Sequence, residues 1–496
     1  MPRSDFAFGP YRFDAAQLLL RRGGDILPLG RRAGLLLAAL LRNGGSVVVK
    51  SDLIDAAWPG EAVEESNLSV QIAALRRLLG ANWIRTVERV GYMLVLPPAD
   101  ALERQWQETA FPRLAVLPFA DLRASGATIE IGRELRDALV TALTRFKTLR
   151  IVDVPHAANF SRDADIRKFA TELDVHYVLA GNMRGPRSLS LRLIEADART
   201  MQWAESFDLD SLDGAGGRLA ARVDSEIHSA ELTHGPRNRG SAMEAYAYYL
   251  RGRLALRSSR QDANAAAYGL FARALSLDPD NAAYVSAACE ALHHRLAVGW
   301  EPLGADHKQI NRDLTRRGFD LSQNDATSLA LLGNSMFTLD EEDIGLATNR
   351  RAVEMNPNDI LVLVCAGLAN LWAGNIDEAE NLYGRARTLV PGDATQRFAV
   401  GGLAQVNRIR GDHPAWLDLA RQTLAVSPGY SGGHWQTISA LAHLGRQGES
   451  ERQLARYLRI SPGVTIASIE AGQHYAQRAH LAPLLDGLRM AGLPER

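Results

Sequence analysis

Cysteine is almost absent from this sequence: Cys289 and Cys365 are the only two in 496 residues, far apart and without a CxxC neighbour. That usage argues against a disulfide framework and a thiolate metal site, and it fits a reducing compartment. Long apolar runs are missing too. The most apolar stretch near the start, Gly34 to Leu41, is far too short to cross a bilayer and is flanked by Arg31, Arg32 and Arg42. The first twenty residues lack a basic start followed by an apolar stretch, so no secretory leader is read there, no membrane contact is expected, and the location expected is cytoplasmic. Net charge is also scarce. With 56 basic and 57 acidic residues giving −1, total charge predicts no avid polyanion binder, and any contact with nucleic acid must be local. The length is enough for two to four domains, each with its own core.

What is present is concentrated between Ser66 and Tyr92, SNLSVQIAALRRLLGANWIRTVERVGY. Leu68, Ile72, Leu75 and Leu79 recur at helical spacing, Ser66 is a good N-cap, and Gly80 stands where a helix should stop. One face of that helix is therefore committed to a core. The other carries Asn67, Ser69, Gln71, Arg76 and Arg77, side chains able to reach base edges or phosphates. Ile84 to Val87 and Tyr92 to Leu96 then read as short strands joined by a turn through Glu88, Arg89, Val90 and Gly91. Glu64 and Glu65, just ahead of the helix, favour its N-terminus electrostatically.

The order V-E-E-S-N-L-S-V-Q-I-x-x-L-R-R-x-L-G, then I-R-T-V-x-x-x-G-Y, resembles the OmpR/PhoB-type winged-helix domain of bacterial transcription regulators, the type also carried by CadC/ToxR-like proteins. The resemblance runs back through K-S-D-L-I-D-A-A-W-P at Lys50 to Leu29 and covers roughly residues 5 to 97. It implies a helix in the major groove of double-stranded DNA with a hairpin wing along the backbone. The DNA-contacting set it points to is Asn67, Ser69, Gln71, Arg76, Arg77, Thr86 and Arg89. Ala73, Ala74 and Glu88 depart from the family, falling where basic side chains are common. Base contacts are accordingly expected at Asn67, Ser69 and Gln71, with Arg76 beside them. The modest charge predicts weak, salt-dependent binding by one copy, and therefore homodimers or cooperative binding on repeated half-sites.

The rest of the chain changes character twice. After a polar connection (99–112), LAVLPF at Leu114 and LRIVDV at Leu149 read as buried strands flanking a helix from about Ile129 to Phe146. A helix near Asp163 to Leu173 and strand-like runs at Tyr177 to Met183, Leu189 to Ala196 and Gln202 to Asp208 follow. These runs resemble the TolB-like domain, which implies a central α/β sandwich over 113–235, with a following helix. From 241 to the end, helix-terminating tags recur: LDPDN at Leu277, LSQND at Leu321, MNPND at Met355, VPGD at Val390, VSPGY at Val426 and ISPGV at Ile460. Their prolines at 357, 391, 428 and 462 are 34, 37 and 34 apart, the period of tetratricopeptide repeats. The fold class expected is multidomain α+β: a winged helix-turn-helix (1–98), the α/β sandwich and an all-α repeat solenoid whose groove holds a protein or peptide.

Candidate chemistry is sparse. Gly214 to Gly217 lacks the Lys and Ser/Thr of a phosphate loop and reads as a linker turn. His293, His294, His434, His443, His474 and His480 show no metal-ligand spacing, and Cys365 reads as a core residue. Trp300, Trp372, Trp416 and Trp435 fill helix-pair cores or anchor a ligand. No catalytic constellation, cofactor motif or metal site is read, so the expectation is a non-enzymatic transcriptional regulator. The alternative is an interaction scaffold whose winged helix has become a docking module.

Overall fold

The computed structural model describes residues 5–8, 11–15, 17–22, 25–42, 47–59, 63, 65–79, 83–87, 90–94, 111–121, 126–152, 154, 170, 173–196, 200–209, 214–234 and 241–496. The chain forms two compact units, 1–108 and 109–496. Gly80, Glu88, Arg89, the helix expected near 163–173 and most of the 99–112 connection lie outside the described residues.

The first unit opens with an antiparallel sheet of β1 (Asp5–Phe8), β2 (Tyr11–Asp14), β3 (Leu19–Arg22) and β4 (Asp25–Leu27), hydrogen-bonded in chain order. Phe13 and Leu20 pair across β2 and β3 and are fully buried. Next comes α1 (Arg31–Arg42), which contains the apolar run Gly34 to Leu41 and buries Leu36, Leu37, Leu40 and Leu41. A two-residue strand, β5 (Val48–Val49), leads into α2 (Lys50–Ala57). Arg32 donates to the Ala57 carbonyl at the end of α2, and its guanidinium lies 5.7 Å from the Trp58 ring. Then follow α3 (Glu65–Leu79), β6 (Ile84–Val87) and β7 (Gly91–Leu94). The helix begins at Glu65, so Ser66 sits inside its first turn and not at the cap.

The hairpin β6–β7 is joined by β5 into a three-stranded sheet of order β5-β7-β6. The contact with β5 explains Gly91: a β-carbon there would stand 2.0 Å from the Val48 carbonyl oxygen, so only glycine lets the strands approach.

In the second unit a mixed sheet runs β10-β8-β11-β12-β13, made of β8 (Arg113–Val116), β10 (Arg150–Val152), β11 (Tyr177–Gly185), β12 (Ser188–Glu195) and β13 (Met201–Asp208). A short β9 (Ala120–Asp121) also pairs with β11. Because side chains alternate along a strand, Leu114, Val116, Tyr177 and Leu179 enter one core while Ala115, Leu117, Val178 and Ala180 enter another. Two helices, α4 (Gly126–Leu143) and α5 (Ala215–His234), pack on each other and on the sheet. The Gly214–Gly217 run is therefore the opening of α5, a correction to the linker turn expected. Phe111, expected in the connection, is buried against Tyr246 and Tyr284.

Seven helix pairs follow: α6 (Ser241–Leu256) with α7 (Gln261–Leu277), α8 (Ala282–Ala297) with α9 (His307–Leu321), α10 (Ala326–Phe337) with α11 (Glu342–Met355), α12 (Ile360–Ala373) with α13 (Ile376–Leu389), α14 (Gln396–Arg410) with α15 (His413–Val426), α16 (Ser431–His443) with α17 (Gln447–Ile460), and α18 (Ile466–Ala471) with α19 (Arg478–Met490). Two of the tags work by capping: Asp325 accepts the Ser328 amide and Asp359 accepts those of Leu361 and Val362, so in these two the last residue of the tag starts the next helix. Tyr383 shows how tightly the pairs stack: a β-carbon on Gly402 would lie 2.2 Å from its ring. Trp300, Trp372, Trp416 and Trp435 are all buried in one continuous core with the sheet's Leu114 and α5's Val223 and Ile227, and Cys365 is buried among helices. They are packing residues, which leaves the groove without tryptophan anchors. Among the described residues no helix is long and apolar enough to cross a membrane, and no group of three or more His, Cys, Asp or Glu is placed to hold a metal.

Candidate nucleic-acid interface

The buried stripe of α3 is the one its sequence predicts: Leu68, Ile72, Leu75 and Leu79 enter the core with α1. Burial of four aliphatic side chains at roughly 1.5–3 kcal/mol each fixes the helix's rotation, and with it which residues face solvent. Its C-terminal end is held from outside the helix. The Tyr11 hydroxyl of β2 donates to the Leu79 carbonyl at 3.0 Å, and its ring meets Trp83 edge-on at 5.8 Å. Its N-terminal end is tied to α2 by the Lys50–Glu65 ion pair at 2.7 Å. The hydrogen bond and charge of Glu65 raise the Lys50 pKa above its ordinary value.

The outward face carries Asn67, Ser69 and Arg77, all exposed, with Gln71 half-buried at its margin. Ser69 Oγ donates to the Glu65 carbonyl at 3.2 Å, and Arg77 Nε reaches the Ala73 carbonyl at 3.5 Å. Arg76 is placed differently. Its Nε and Nη2 donate to the Ile84 carbonyl at 3.0 and 2.8 Å, and Nη2 also donates to Thr86 Oγ1 at 2.8 Å. The guanidinium lies 6.0 Å from the Tyr92 ring. It straps the recognition helix to the wing, with Thr86, itself exposed, as the far anchor. Arg89 lies outside the described residues. Sequence reasoning passed over Val70, which is 59% exposed, and the exposed Arg85. Val70 was detectable in principle as an apolar residue off the buried stripe.

Fold and surface define a class: a winged-helix unit, then an α/β layer continuous with helical repeats. Residues 23–94 match the family described as "Transcriptional regulatory protein, C terminal". Residues 110–225 match "HilA/YgeH-like transcriptional regulator, second domain". The first unit is an OmpR/PhoB-type winged helix. The response regulator protein PmrA of Pseudomonas aeruginosa is 35% identical over 91 residues, 18% of this chain and 41% of that protein. A putative adenylate cyclase 3 of Rhizobium meliloti is 25% identical over 198 residues, 38% of this chain and 34% of its own length. The DNA-binding domain of E. coli CadC is 26% identical with a TM-score of 0.18, covering 20% of this chain and 96% of that domain. The chain thus spans 34% and 41% of the curated relatives it matches.

Proposed function

We propose that this protein is a DNA-binding regulator of transcription, not an enzyme, acting in the cytoplasm. The observation that carries the reading is α3: one face locked into the core by four aliphatic residues, the other presenting Asn67, Ser69, Gln71 and Arg77 beside a wing. A helix so held enters the major groove of double-stranded DNA, where amide and hydroxyl side chains read base edges. Arg77, Arg85 and Arg89 meet phosphates, and Arg76 with Thr86 keeps wing and helix in register. Among the described residues of α3 and the hairpin only Arg77 and Arg85 are exposed cations, so useful affinity requires two copies, as a homodimer or cooperatively on repeated half-sites. The TolB-like layer and the repeats receive a protein, peptide or small-molecule signal.

Genome-wide mapping of DNA bound by the full chain, followed by mobility shifts on the recovered sites, tests this. Expected is a shared sequence element whose binding weakens with salt at a log-log slope of roughly −3 to −5, for about four or five phosphates. Binding without sequence preference at low salt would refute it. The docking-module reading draws on the exposed Val70 and Ala73 on α3. Capture of a defined protein by the first unit, lost in Val70→Asp, with no DNA binding by the full chain, would favour it.

A further inference from the structure

The second unit holds a cavity of about 110 Å3 where α5 passes the leading ends of α8, α10, α12 and α14. That is room for several water-sized groups or a small organic molecule, between the α/β layer and the repeats, the kind of junction where ligand sites form. Four carboxylates reach its wall: Asp224, Asp325, Asp359 and Asp393. Three of them are occupied. Asp325 accepts from the amide and hydroxyl of Ser328 at 3.2 and 2.7 Å. Asp359 accepts the Leu361 and Val362 amides at 2.8 and 3.2 Å and the Thr327 hydroxyl. Asp393 takes the Thr395 amide at 2.6 Å and the Ser225 hydroxyl.

Asp224 is the exception. Among the described residues no donor serves its carboxyl, which burial first, then the charges of Asp359 and Asp393, push well above the usual carboxylate range. The one guanidinium in the wall, Arg253, is already paired with Glu290. His228, one turn along α5, is pushed down to about 4 by burial and then by Arg253 and Arg257, so at neutral pH it brings no charge. The cavity thus presents a half-buried carboxylate to which, among the described residues, no protein donor or cation is paired.

We propose that this cleft binds a small ligand through an ammonium group, anchored on Asp224 with the Tyr249 ring as its aromatic wall. An ammonium supplies several N–H donors together with the charge that the cleft lacks. A metal ion fits less well, because no three ligating side chains among the described residues are placed around one point. An anion would face four carboxylates. Ligand binding here goes beyond the DNA-binding reading and is measured without DNA, so either can fail alone.

The test uses the full chain at pH 7.5 in thermal-shift and calorimetric titrations. The probes are primary aliphatic amines of two to six carbons as hydrochlorides, against alcohols and carboxylates of the same chain lengths at matched ionic strength. Expected is a saturable rise in melting temperature with at least one amine and with neither of its controls, and a tenfold or greater loss of its affinity in Asp224→Asn. Without amine, that variant should melt no lower than the parent, since it breaks no hydrogen bond among the described residues. Should it fail to fold, Asp224→Ser gives the same reading. No amine exceeding its alcohol, or unchanged affinity in the Asp224 variants, would overturn the proposal.

Discussion

Replacing Gly91 with alanine probes how the wing is built. The added methyl would sit 2.0 Å from the Val48 carbonyl oxygen and 2.9 Å from Val49 Cα, both backbone atoms, so no side-chain rotation relieves it. β5 and β7 must part, at the expense of the Val48–Tyr92 and Val49–Gly91 pairing. Overpacking of this kind costs about 1–3 kcal/mol, or roughly 5- to 150-fold in the ratio of folded to unfolded molecules. Gly30 supplies a matched control: nothing lies within 4 Å of where its β-carbon would stand, and its φ is outside the left-handed region. Gly30 is the N-cap of α1, its carbonyl accepting the Gly34 amide, so Gly30→Ala should cost no more than about 1 kcal/mol. Hydrogen exchange followed by mass spectrometry on the full chain reads both. In Gly91→Ala the most protected amides of α1 and α3 should exchange about 5- to 150-fold faster, and in Gly30→Ala no more than about fivefold faster than in the parent. If α3 in Gly91→Ala stayed within about twofold of the parent, the close approach would not be what demands glycine.

Three further perturbations have defined outcomes. Arg76→Lys keeps the charge but cannot fork onto Ile84 and Thr86; specific DNA affinity should fall about tenfold with an unchanged salt slope, whereas Arg77→Ala lowers the slope by about one. Mobility shifts across a salt series check both, and equal affinity for Arg76→Lys would remove the strap from the mechanism. His228 has a folded pKa of about 4, below its ordinary 6.5, so its contribution is complete above about 6.5 and is lost as pH falls towards 4. Asp224, Asp325 and Asp359, whose values are raised, act oppositely over part of that interval, so the comparison with His228→Gln isolates the histidine. Denaturant midpoints should draw together or cross in the variant's favour as pH drops through that window, and parallel curves would contradict this. Burial pushes the Cys289 thiol up to about 12 and that of Cys365 well above its ordinary value, so Ellman's reagent should find both unreactive in the native protein and reactive in guanidinium. Fast release of a thiol without denaturant would show that its surroundings open.

Much of the architecture was legible because it rests on periodicity. The Leu68–Ile72–Leu75–Leu79 stripe is a 3.6-residue repeat, and the α3 it predicts starts two residues earlier than the Ser66 cap implies. The three long strands from Tyr177 onward extend only a residue or two beyond their apolar runs. Two-residue strands such as β5 and β9 carry no period and were missed. Arg76 shows a different limit. On a helix, a long cationic side chain reads the same whether it points at DNA or at a carbonyl eight residues on, and only the hairpin's position decides. The cleft was invisible for a related reason: Asp359 and Asp393 end recurring tags, but Asp224 lies on α5 and only the packing of that helix on the repeats brings them to one wall.

The core that runs without a break from the sheet through Val223 and Ile227 of α5 into Trp372 and Tyr383 of the repeats has a consequence for inheritance. Cutting between 234 and 241 would bare apolar flanks on both pieces, because the layer shares its core with the middle and later repeats. The winged helix, by contrast, keeps its core to itself. Recombination can therefore exchange the DNA-reading unit freely among regulators, while the layer and its repeats must travel together as one hereditary piece.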